Sequence, residues 1–103
     1  MAKFLVTYHG SEMSHDPEAM AKAREAFLAW AAKTGDALAD PGSPVASMST
    51  IADDGRATGP ADGPLNGWSV VEAADVEAAA DLLRDHPFLT RGGILQINEP
   101  FEF

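Results

Sequence analysis

The chain has 103 residues, 46% of them hydrophobic, with 16 acidic against 7 basic side chains and a formal net charge of -9. A composition this apolar folds as one domain, residues 1–103, with a single core, and its few cations are scattered among acids (Lys22, Arg24 and Lys33 beside Glu18 and Glu25), which excludes nucleic acid and anionic membranes as partners. Cysteine is absent, so disulfides, thiolate nucleophiles and Cys-based metal sites are excluded, and a cytoplasmic location is expected.

Lys3 to His9 reads as a strand, with Phe4, Val6 and Tyr8 on one face and Leu5, Thr7 and His9 on the other. Its apolar run is too short for a signal-peptide core or a bilayer span. Gly10 to His15 is a polar loop. Asp16-Pro17-Glu18 then starts a helix, with Asp16 as N-cap and Pro17 at the first helical position. Met20, Ala23, Phe27, Trp30 and Ala31 form its inward stripe, and Gly35 stops it. Asp36 to Ser43 is expected as loop, and Pro44 to Ile51, which alternates weakly, as a short edge strand. Asp53 to Gly67, with four glycines and two prolines, is a long turn region. Trp68 to Ala73 is the third strand. Asp75 caps a second helix with Val76, Ala79, Ala80 and Leu83 facing inward, ending near Asp85 because Pro87 takes His86 out of the helical region. Gly92-Gly93 leads into a fourth strand, Ile94 to Asn98, followed by Pro100 and an aromatic tail, Phe101-Glu102-Phe103.

The order β-α-β-β-α-β predicts an α+β, ferredoxin-like domain: a four-stranded antiparallel sheet with both helices on one face. Two helices cover only one face, yet the strands are apolar on both, with Leu5, Val70 and Ile94 opposing Phe4, Val71 and Leu95. A second copy packed on the open face, giving a homodimer, would shield them. The competing expectation is that the aromatic tail and long loop fold over that face.

Asp62-Gly63-Pro64-Leu65, Gly67-Trp68, the helix that follows, His86-Pro87 and the strand from Gly93 to Pro100 together resemble the YCII-related family, and more narrowly its DGPF branch. Leu65 stands where that branch has phenylalanine. The resemblance implies a ferredoxin-like subunit that dimerises into an α/β barrel. It also implies a pocket with a His-Asp pair in some members, and action on small halogenated aromatic compounds in related ones. The family's histidine lies on the first helix, where Ala19 to Lys33 contains none; Asp40 would take the acidic place.

Two histidines are candidates for proton transfer. His86 stands at a helix end, where the dipole favours its protonation, as a general acid or base or as an exposed capping residue. His9, at a strand end, would form a His-carboxylate dyad if it shared a pocket with Asp40 or Asp62. Tyr8 and Trp68 are the expected ligand contacts, with Trp30 as a further aromatic wall or simply core. His9, His15 and Asp16 lack the enforced geometry of a metal site, and Asp53-Asp54-Gly55 lacks the spaced ligands of a calcium loop, so no metal is assigned. No phosphate-cradling loop or serine nucleophile elbow is present, and no cofactor is expected. Three functions follow: a cofactor-independent small-molecule enzyme, a non-catalytic dimeric binding or regulatory module, and a relative of the antibiotic-biosynthesis-type monooxygenases.

Overall fold

The structure is a computed structural model and describes residues 1–10, 16–59 and 65–101. His15, Asp62, the Gly63-Pro64 turn and the terminal Glu102-Phe103 lie outside the described residues. The chain runs β1 (Ala2–His9), α1 (Pro17–Thr34), a 3-10 turn (Gly35–Ala37), β2 (Leu38–Pro44), β3 (Thr50–Ile51), β4 (Ala57–Thr58), β5 (Leu65–Ala73), α2 (Val76–Leu83), α3 (Pro87–Thr90) and β6 (Ile94–Asn98). The main sheet is ordered β2-β5-β1-β6, and every adjacent pair is antiparallel. This is the expected ferredoxin-like layer: α1 and α2 are crossover helices, and each passes over one intervening strand.

The strict alternation of β1 fixes its faces. Phe4, Val6 and Tyr8 are buried, and β5 matches them with Ser69, Val71 and Ala73. Trp30 of α1, Ala79 and Leu83 of α2, and Phe88 of α3 close the core over that face. Each large apolar side chain buried here contributes about 1.5–3 kcal/mol. The helices start where their caps stand. Asp16 accepts from the Glu18 amide, Asp75 accepts from the Ala78 amide at 2.8 Å, and Gly35 ends α1 with a positive φ of 65°. The inward stripes are narrower than periodicity suggests: Met20 is 54% exposed and Val76 43%, both in the first turn of their helices.

The second strand is displaced from its expected place. Leu38 to Pro44 pairs with β5, whereas residues 45–49 leave the sheet after one more bond, Val45 N–H to the Asn66 carbonyl. The turn-type residues Asp40-Pro41-Gly42 are absorbed as irregularities of an edge strand, where proline costs no interior ladder bond. Gly42 is required there: φ is +69°, and a Cβ would lie 1.8 Å from the Trp68 carbonyl oxygen. Thr50–Ile51, the end of the expected edge strand, instead pairs with Ala57–Thr58 of the long turn region as a separate two-stranded ribbon. The third strand begins at Leu65, three residues earlier than expected. No helix among the described residues is long and apolar enough to cross a membrane.

Candidate functional site

His86 is neither exposed nor a cap on the helix before it. It is 1% exposed and caps the start of α3, because Pro87 occupies that helix's first position and leaves the imidazole to accept the Phe88 amide proton at 3.0 Å. A backbone amide only donates, so Nδ1 is the unprotonated nitrogen and Nε2 carries the hydrogen. Nε2–H donates to the Tyr8 hydroxyl at 3.1 Å, and the Tyr8 hydroxyl is hydrogen-bonded in turn to Ser69 Oγ at 2.8 Å. Aromatic rings enclose this chain of bonds. Trp30 lies 4.3 Å from the imidazole between centroids, Phe27 5.8 Å, and Tyr8 meets it edge-on at 5.1 Å.

Burial, assisted by the Arg91 cation, lowers the His86 pKa to about 4. Burial also raises the Tyr8 pKa, partly offset by the Ser69 bond. Both groups are therefore neutral at physiological pH. Their hydrogen-bonding groups are engaged with one another, with Ser69 and with the Phe88 amide, which makes a neutral structural network in an apolar cage rather than a charged acid-base pair.

His9 belongs to the other face. Its Nε2 lies 2.8 Å from Thr7 Oγ1; Asn98 Nδ2 donates to that oxygen at 3.3 Å, and Gln96 Nε2 donates to Asn98 Oδ1 at 2.7 Å. Around this polar row stand Leu5 (44% exposed), Ile94 (63%), and the half-buried Val70 and Trp68. The strand registers pair Thr7 with Trp68 and Gln96, and Leu5 with Val70 and Asn98. The face thus sets four apolar side chains beside a bonded polar row, with the cross-strand pair Lys3 and Glu72 at its far end. The described tail does not shield it: Phe101 is 83% exposed.

The expected site residues therefore divide between two places. Tyr8 joins His86 under the helices, whereas His9 and Trp68 share the helix-free face. Asp40 is exposed on β2, accepting the Gly42 amide at 2.9 Å. It is level with Val70 and hence Leu5, four residues along and two strands across from His9, roughly 16 Å by strand geometry. His9 and Asp40 thus form no dyad, and Asp62 lies outside the described residues. Ser69 is the participant the sequence reading missed. Its signal was the alternation of β5, which puts a lone hydroxyl among inward Val71 and Ala73. Among the described residues no group of three His, Asp or Glu side chains is placed to hold a metal. Two surface hollows among the described residues include neither histidine in their lining; one of about 170 Å³ is lined by Ala80, Leu83, Leu89, Leu95 and Ile97 with Arg84.

No family model matches the chain, and no curated protein matches it. Among solved structures it is similar to 5-chloro-2-hydroxyhydroquinone dehydrochlorinase (TftG) from Burkholderia phenoliruptrix AC1100, in complex with 2,5-dihydroxybenzoquinone. Identity is 16%, the match covers 97% of this chain and 93% of that one, and the TM-score is 0.55. At that identity the likeness shows the fold alone, the ferredoxin-like α+β layer described above.

Proposed function

We propose that the protein is a YCII-related homodimer of the DGPF type, paired through its helix-free sheet faces, that binds a small oxygen-bearing ring compound between them. The observation that carries this reading is the makeup of the open face. Leu5, Val70, Trp68 and Ile94 surround the bonded row His9, Thr7, Asn98 and Gln96. Apolar side chains beside a few positioned polar groups are what a small-ligand site requires, and leaving Leu5, Val70 and Ile94 in water forfeits burial energy that a second copy recovers. The dehydrochlorinase of the same fold, seen with a dihydroxybenzoquinone, supports the choice of ligand class.

A second reading adds catalysis without a cofactor. It is favoured by the bond between His9 Nε2 and Thr7 Oγ1, which orients an imidazole at the cleft end for proton transfer. Sedimentation at micromolar concentration should find a dimer; a monomer overturns the pairing. Titration with 2,5-dihydroxybenzoquinone should raise the melting temperature of the wild type but not of Trp68→Ala, and equal stabilisation of both moves the ligand away from this face. In the catalytic reading, His9→Gln slows turnover of a hydroxylated chloroaromatic about 100-fold or more; an unchanged rate removes His9 from the chemistry.

A further inference from the structure

We propose that the β3–β4 ribbon is an arm that crosses to the second subunit, its Ile51 packing on the partner's helix-free face and closing that subunit's cleft. The inference rests on the homodimer proposed above and extends it, making each ligand site incomplete without the other chain.

The ribbon has no core of its own. Two residues pair with two, Thr50 with Thr58 and Ile51 with Ala57, and the bend between them is held by the Gly55 amide on the Ala52 carbonyl and the Arg56 amide on Asp54 Oδ1. An isolated two-stranded hairpin is marginal in water even at greater length, and needs another surface to pack on. The main sheet does not provide it: the ribbon is a separate sheet, and Ile51 is 72% exposed. The radius of gyration, 14.8 Å, exceeds the roughly 13 Å of a compact chain of this length. The molecule measures 43 × 43 × 19 Å, thin along one axis and extended along the other two.

The ribbon's position suits the same partner. It lies in the connection from β2, which ends at Pro44 opposite Gly67, to β5, whose first residue Leu65 is opposite His9. It therefore springs from the sheet end that holds His9, Trp68 and Ile94. A four-stranded face of this size spans roughly 450 Å² in projection, less than the about 800 Å² that each partner of a standard-size stable pairing buries. In a two-fold pairing about an axis along the strands, β2 of one chain lies over β6 of the other, so the two arms add area at the end of the interface that holds His9 and Ile94. The exposed apolar side chains await each other there: Ile51 on the arm, Ile94 and Leu5 on the face.

The cysteine-free chain permits a direct test. Ile51→Cys and Ile94→Cys chains, mixed, denatured together, refolded and oxidised, should yield a disulfide-linked heterodimer. Sedimentation of Ile51→Asp should show the dimer dissociation constant raised at least tenfold, with a wild-type circular dichroism spectrum. If the wild type is a dimer while Ile51→Asp associates equally well and no cross-link forms, the arm is refuted and the dimer stands. If the wild type is a monomer, the dimer itself fails. Loss of the folded spectrum in Ile51→Asp would mean that Ile51 packs on its own subunit, which also refutes the arm.

Discussion

The two faces of one sheet solve opposite problems with similar residues. Under the helices, Phe4, Val6 and Val71 are almost wholly buried, and the polar groups among them, Tyr8, Ser69 and His86, bond to one another in a closed chain. On the other side Leu5, Val70 and Ile94 are as apolar but partly or largely exposed, and the polar row of His9, Thr7, Asn98 and Gln96 is within reach of a visitor. A histidine on the first face is locked and neutral, whereas one on the second is held by its neighbour at a surface. The covered face stabilises the subunit, and the open one is available for recognition.

Substitutions separate the two. Phe4→Ala should cost about 3–5 kcal/mol in urea unfolding, independent of protein concentration, because it leaves a cavity in the covered core. Leu5→Glu, one residue along, should leave the isolated subunit folded and shift stability only through its dependence on protein concentration; a concentration-independent loss as large as that of Phe4→Ala would erase the distinction.

Acid provides the next largest effect. The pKa of His86 is depressed in the native state, so the unfolded chain binds a proton that the folded one refuses. Its contribution to stability is full above the ordinary histidine value and lost as pH falls from about 6.5 to about 4. From the size of that shift, about 3 kcal/mol is at stake. Melting curves between pH 7 and 4 should show the loss, and His86→Phe, which keeps a ring in the cage, should flatten it.

Helix ends come next. Asp75→Ala removes the acceptor for the Ala78 amide and should cost about 1 kcal/mol in urea unfolding. The smallest effect is expected on the open face: Thr7→Val removes the oxygen that His9 and Asn98 share, and should move stability by no more than about 0.5 kcal/mol while weakening binding of the dihydroxybenzoquinone.

Much of this architecture could be read in the chain. The alternation of Phe4 to His9, the caps at Asp16 and Asp75, and the stop at Gly35 are local signals, and local hydrogen bonding obeyed them. The second strand was misplaced because its pairing is decided by β5, across which Asp40-Pro41-Gly42 bulges, and nothing local distinguishes a turn from an irregular edge. His86 was misjudged for a similar reason. Pro87 ends one helix, but it also begins another, and the second role turns the histidine inward. The sequence could suggest Tyr8, His9, His86 and Trp68 but not how they divide, because sharing a sheet face depends on register and tertiary packing as well as chemical type.

One imidazole ties a four-residue helix to the far end of the first strand: one nitrogen holds the Phe88 amide, the other the phenol of Tyr8. Tilting that ring strains both attachments at once. Deuterium uptake at the Phe88 amide is therefore a built-in gauge of disturbance at Tyr8, readable without any label and sensitive to an event one element away.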